Sequence, residues 1–357
     1  MPPIPTAAHP DRTRPTVVRR PVGTGMAGIT ALLLVIGVVA SGCSTSATPA
    51  TTTTTKAAPA TTTPVPAGQL VFGGRHAVTR GPGLDAISCA SPTACVAIDA
   101  NGGIYSFQGT SWSGPVSPAA GPVGGGGISV SCANPTFCAA VPTAASQVVT
   151  GSGLSWSAPQ TLQGATDLGA VGCAPTGYCA TVDAEGYAFA FDGGGWSATS
   201  GDWGSVAGIA CVSSTFCVSV SGGISQWNGS SWTQPDSYAA IGSFTSVSCP
   251  SAVFCAASVN SGDVMFLTGA TWGAPVRVEP GQPSATSVGP YPTGISCASA
   301  TYCAAVDGAG AVLQWSGSTW SHDKVDPGSH LTGISCPTPT FCAAADAAGD
   351  VILGRPA

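Results

Sequence analysis

Fifteen cysteines stand in a chain of 357 residues, and fourteen of them form pairs of a single spacing, C-x5-C. The pairs are Cys89/Cys95, Cys132/Cys138, Cys173/Cys179, Cys211/Cys217, Cys249/Cys255, Cys297/Cys303 and Cys336/Cys342. Paired thiols can hold a metal, cycle as a redox dithiol, or cross-link. A structural zinc site wants closer spacing and four ligands gathered together. Here each pair lies in its own segment, and the chain holds only four histidines. A redox dithiol is written C-x-x-C, and equivalent copies of it would be redundant. Cross-linking uses every pair in the same way. Each bond closes a loop of seven residues, which the chain-entropy estimate values at about 2 kcal/mol.

Few other residues offer chemistry. Asp99, Asp183, Asp307 and Asp346 each fall four positions after a second cysteine, at the start of a turn. Aspartate there bonds nearby backbone N–H groups, so the expected role is turn capping. The alternative is a ring of carboxylates binding a cation at a channel mouth. After Cys43 the only glutamates are Glu185 and Glu279, the arginines are Arg75, Arg80, Arg277 and Arg355, and the histidines are His76, His322 and His330. No Ser-His-Asp or metal-ligand spacing emerges, so neither a metal nor another cofactor is expected. Beyond Cys43 the chain carries six Lys and Arg against fifteen Asp and Glu. No basic stripe follows a phosphate backbone, which argues against nucleic acid as a partner.

The elements that would position these residues repeat. Successive first cysteines are 38 to 48 residues apart, a period that fits the four short strands of a β-propeller blade. In each unit "GISC" reads as the first strand and "CAAVD" as the second. A third strand such as "AVLQW", Ala311 to Trp315, and a fourth such as "STWS", Ser318 to Ser321, follow across Gly/Ser turns. Six units carry a fourth-strand tryptophan: Trp112, Trp156, Trp196, Trp232, Trp272 and Trp320. These are read as packing blade against blade. The seventh unit ends after its third strand, and the spare strand Leu70 to Thr79 is expected to complete it, leaving no open edge. The fold class is therefore all-β: a seven-bladed β-propeller of four-stranded blades, residues 68–357, closed by an N-terminal strand. Although charged residues are only 7% of the chain, apolar residues are 44%, enough for a core.

Residues 1–43 read as a signal peptide. A basic stretch from Arg12 to Arg20 precedes the apolar run Gly28 to Ala40, which is too short to span a membrane comfortably. "ASGC", ending at Cys43, resembles the lipobox of bacterial lipoproteins, which implies that Cys43 is lipidated and anchors the mature chain to the membrane. A plain secretory signal is the alternative. Residues 44–67, almost wholly Ser, Thr, Ala and Pro, bury too little to offset their ordering entropy and read as a disordered tether. Export places the paired cysteines where disulfides form, and the odd fifteenth cysteine is Cys43.

The repeat phrase GISC-x5-CAAVD, with its later tryptophans, resembles that of secreted actinobacterial β-propeller proteins. The "GSTW" turn, Gly317 to Trp320, is similar to the Asp-box turn of sialidase-like propellers, with Asp192 of "FDGGGW" nearest to its aspartate. A catalytic role on that resemblance would require converging arginines and facing carboxylates, which are scarce here. The expected function is a monomeric, exported, lipid-anchored, non-catalytic platform for protein or glycan in the cell envelope; the alternative is a glycoside hydrolase or lyase. Ligand contacts are expected from the variable inter-blade loops, through Trp203, Tyr238, Tyr291 and His322.

Overall fold

The protein is described by a computed structural model that covers residues 68–117, 128–142, 145–199, 201, 206–233, 236–238, 240–278 and 291–357. The signal segment, the tether, Cys43 and Trp203 lie outside the described residues. Every regular element among the described residues is a β-strand. The strands form seven antiparallel sheets, the blades of a ring, at residues 84–116, 128–161, 168–199, 208–237, 244–277, 292–324 and 331–355. Within a blade the strands run from inside to outside in chain order. The last blade takes its outer strand from the other end of the chain: Val71–Ala77 pairs antiparallel with Asp350–Arg355.

The second strand of each blade explains how blades built from small residues hold together. Tyr302–Asp307 and Phe341–Asp346 are buried along their whole length, because a middle strand is covered by a neighbouring blade on each face. Alanine predominates there and lets the sheets approach closely. The apolar core is divided into seven clusters, each shared by two successive blades. The cluster of Leu84, Ile87 and Phe107 with Phe341, Ala343 and Val351 joins the last blade to the first and closes the ring.

All seven cysteine pairs are disulfide-bonded, with Cα atoms 3.9–4.1 Å apart: Cys89–Cys95, Cys132–Cys138, Cys173–Cys179, Cys211–Cys217, Cys249–Cys255, Cys297–Cys303 and Cys336–Cys342. In the first blade Cys89 faces Cys95 directly across the first two strands. The second cysteines lie deep in the fold. Cys179, Cys217, Cys255, Cys303 and Cys342 have no exposed surface. Each is sealed in the core cluster shared with the preceding blade. They are core residues, because the neighbouring blade covers the sulfur and no ligand reaches it.

The serine before the first cysteine has a separate role. In five blades its hydroxyl accepts a hydrogen bond from the backbone N–H of the next blade's cysteine. The pairs are Ser88 with Cys132 (3.0 Å), Ser131 with Cys173 (2.9 Å), Ser248 with Cys297 (2.9 Å), Ser296 with Cys336 (2.9 Å) and Ser335 with Cys89 (2.8 Å). "SC" is thus a bond to the following blade as well as a staple within its own. The third blade has Gly172 at the serine position. A Cβ there would lie 2.6 Å from the carbonyl oxygen of Ile209 in the next blade, so only glycine fits.

The outer strands depart from the regular fourth strand expected from sequence. They are continuous in the third and sixth blades, Trp196–Thr199 and Trp320–Lys324, but split in the second and fifth, where Ser155–Trp156 and Gln160–Thr161, and Thr271–Trp272 and Val276–Arg277, flank a gap. In both, a proline stands three residues after the tryptophan, Pro159 and Pro275; in the first blade Pro115 holds the same place and shifts the register of Trp112–Val116 without splitting it. Proline has no N–H to give the ladder. The six repeat tryptophans pack against the clusters shared by two successive blades, as the blade-to-blade reading expects, and ring contacts add to this. Trp112 lies over Phe107, Trp196 over Phe191 and Trp232 over Trp227, each within its own blade, with centroids 5.4–5.7 Å apart. Trp320 does both, touching Trp315 of its own blade and Phe266 of the one before.

Candidate binding faces

The inner strands meet around the ring axis and enclose a cavity of about 420 Å³ to which all seven blades contribute. Its wall is largely backbone and small polar side chains. Cys173, Cys211 and Cys249 stand on that wall, while their partners Cys179, Cys217 and Cys255 lie behind it in the core. Five inner strands carry a β-bulge four residues before the first cysteine, at Asp85, Gly169, Thr245, Thr293 and Thr332. The threonines turn their hydroxyls back onto backbone carbonyls: Thr293 donates to Leu331 of the next blade (2.8 Å), and Thr245 to Pro292 (2.7 Å). Asp85 is the one charged side chain in the cavity wall. Burial pushes its carboxyl above the usual carboxylate range, and the negative charge of Asp99 adds to the effect.

The repeated aspartates cap turns. Oδ1 of Asp99 accepts from the backbone N–H of Asn101 (2.9 Å) and Gly103 (2.8 Å). Asp183 does the same with Glu185 and Tyr187, Asp307 with Ala309 and Ala311, and Asp346 with Ala348 and Asp350. The second oxygens of Asp99 and Asp183 accept from the Tyr105 hydroxyl (3.0 Å) and the Thr166 N–H (3.0 Å). All four are buried. These are the carboxylates from which a cation ring or a hydrolytic pair would have been built, and one oxygen of each serves its second-to-third-strand turn. Among the described residues, no group of three or more His, Cys, Asp or Glu is arranged to hold a metal ion.

The expected ligand contacts fall on separate elements. Tyr291 precedes the sixth inner strand and is 37% exposed. His322 lies on the outer strand of that blade, with Nε2 3.9 Å from Oδ2 of Asp307. Tyr238 stands edge-on to Phe244 at 5.8 Å and packs against the core between the fourth and fifth blades, so its ring is part of the scaffold. Trp203 and residues 279–290 of the longest inter-blade loop lie outside the described residues.

Two features escape a reading from sequence. The closing strand holds Arg75, paired with Asp326 of the loop between the sixth and seventh blades and 3.7 Å from Asp350. The Asp326 carboxylate is fully buried. Gly74, at φ +67°, makes the bulge that aims Arg75, so the Gly73-Gly74 dipeptide was the available signal. Just upstream, the buried amide of Gln314 clamps the backbone of Leu70, accepting its N–H (2.8 Å) and donating to its carbonyl (3.0 Å). The Tyr302 hydroxyl donates to the same Gln314 oxygen, and burial raises the pKa of that phenol.

Ring, axial cavity and strand closure together define a seven-bladed β-propeller. Solved structures share this architecture. "YCF48 bound to D1 peptide" superposes with a TM-score of 0.61 at 15% identity, over 80% of this chain and 97% of that one. YCF48 from Cyanidioschyzon merolae gives 0.56 at 13%, over 79% and 99%. The WD40 β-propeller domain of Doa1 gives 0.61 at 12%, over 80% and 98%. At such identities the likeness shows the fold alone. No protein-family model matches the chain, and no curated protein matches it in sequence.

Proposed function

We propose that the protein is an exported, lipid-anchored, non-catalytic propeller that presents its inter-blade loops to a protein or glycan of the cell envelope. The observation that carries this reading is the register of the closing strand. Phe72 pairs with Gly354, which pairs with Cys342, whereas Ala77 pairs with Asp350 beside the capped turn at Asp346. The chain therefore joins the ring on the face of the disulfide turns. The inter-blade loops and capped turns form the opposite face, away from residue 68. Seven disulfides fit an oxidising, extracytoplasmic environment. The engagement of the aspartates in turns supports binding over hydrolysis, and a propeller of this architecture has been solved with a bound peptide.

The full chain, displayed against a glycan array and an envelope-protein panel, tests the reading. Trp203→Ala and Tyr291→Ala should abolish capture, while Val253→Ser, on an exposed disulfide turn (62%), should leave it intact. Capture insensitive to both loop substitutions would remove the loop face from the proposal. Cys43→Ser should release the protein from the membrane fraction; unchanged fractionation would overturn lipid anchoring.

A further inference from the structure

The residue before the second cysteine is aromatic in six blades and alanine in one. Phe137, Tyr178, Phe216, Phe254, Tyr302 and Phe341 each pack into the core between their own blade and the next. Phe137, for example, stacks on Phe191 of the third blade at 5.2 Å. In the first blade the residue is Ala94, and the cluster between the first and second blades contains no ring at that place. A cavity of about 210 Å³ opens there, walled by Ala94, Phe107, Gln108, Asn134, Pro135 and Cys138 among others. An apolar cavity on the order of 150 Å³ suffices to take up a benzene ring.

We infer that this cavity is a binding site for an aromatic side chain of a partner protein, which supplies from outside the ring that six blades supply for themselves. Three observations meet there. The wall carries the Phe107 ring of the first blade and the second-blade disulfide of Cys132 and Cys138, apolar surfaces against which an inserted ring can pack. The cavity lies at the disulfide end of the blades, where the hydrogen bond from Gly109 N–H to the Thr93 carbonyl draws two turns together at its edge. Gln108 and Asn134 stand on its wall, amides able to bond the peptide groups flanking an inserted ring. An apolar slot with a few polar groups is the form taken by pockets that receive aromatic anchors. The site is on the face opposite the inter-blade loops and does not depend on them.

Ligand-observed NMR of the full chain with N-acetyl-phenylalaninamide, N-acetyl-tyrosinamide and N-acetyl-leucinamide tests the assignment. The aromatic amides should bind at least about tenfold more tightly than the leucine amide, a difference of about 1.4 kcal/mol. Ala94→Phe, which writes the other blades' residue into the first, should abolish that binding. Ala94→Leu, a smaller filler, should weaken it severely and serves if the phenylalanine variant does not fold. Equal binding of all three amides, no binding, or aromatic binding unchanged in a folded Ala94 variant would each overturn the assignment.

Discussion

A single arginine illustrates how one residue can govern a closure. Asp326 is fully buried, and its charge is matched by Arg75 on a strand that comes from the opposite end of the chain. Arg75 itself is half exposed, but removing it leaves the buried Asp326 charge unmatched. Arg75→Met should therefore lower stability by about 3 kcal/mol in denaturant unfolding, and adding Asp326→Asn should restore much of it. Asp85 works in the other direction. Its folded-state pKa lies above the unfolded value, so the fold binds the proton more tightly and ionisation costs stability. That cost is absent below the ordinary aspartate pKa and grows as pH rises through the folded one. Asp85→Asn should melt above the parent protein at neutral pH, with the difference vanishing in acid; a melting series across pH checks it. Neither role could be read from the residue alone. Sequence shows an aspartate after a glycine-rich turn and an arginine after two glycines, but not what each will face.

At the scale of the element, the first two strands of a blade carry two independent fasteners. The disulfide holds strand to strand, and the serine before it holds blade to blade. Ser335→Ala leaves the Cys89 N–H without its partner and should cost about 1 kcal/mol. Replacing Cys297 and Cys303 together by alanine should cost about 2 kcal/mol, from the loop of seven residues no longer closed. Chemical denaturation of the two variants separates these magnitudes. The disulfide was legible because its signal is local: a fixed spacing across one tight turn. The complete burial of Cys179, Cys217 and Cys255 was not, because the blade that covers each sulfur is a separate stretch of chain. The serine bond was hidden for the same reason. Although "SC" recurs, its acceptor and donor stand 40 to 49 residues apart in four of the bonds and 246 apart in the one that closes the ring. The outer strands were misread for the opposite reason. Proline three residues after the tryptophan was visible in the sequence, but it splits the strand in the second and fifth blades and only shifts the register in the first, a difference that neighbouring packing decides.

At the scale of the molecule the ring depends on a strand borrowed from the N-terminal end. Deleting residues 68–79 removes Val71–Ala77 and takes Leu70 from Gln314 and Arg75 from Asp326. It exposes the edge of Asp350–Arg355, and unpaired edges template association. The deletion variant should elute in size-exclusion chromatography as larger species than the intact chain at the same concentration, and should unfold over a broader range. Recovery of a monomer with an unchanged transition would show that the closing strand is dispensable.

The amino-acid sequence by itself determined the number of blades, the pairing of the cysteines and the presence of a closing strand, because each is written as a period or a spacing along the chain. Only the tertiary structure decided which face the chain joins, which carboxylate Arg75 neutralises, that the capping aspartates are buried, and that Ala94 leaves a cavity. Those depend on the approach of blades remote in sequence, and such an approach is set by packing around the whole ring, which no local pattern records.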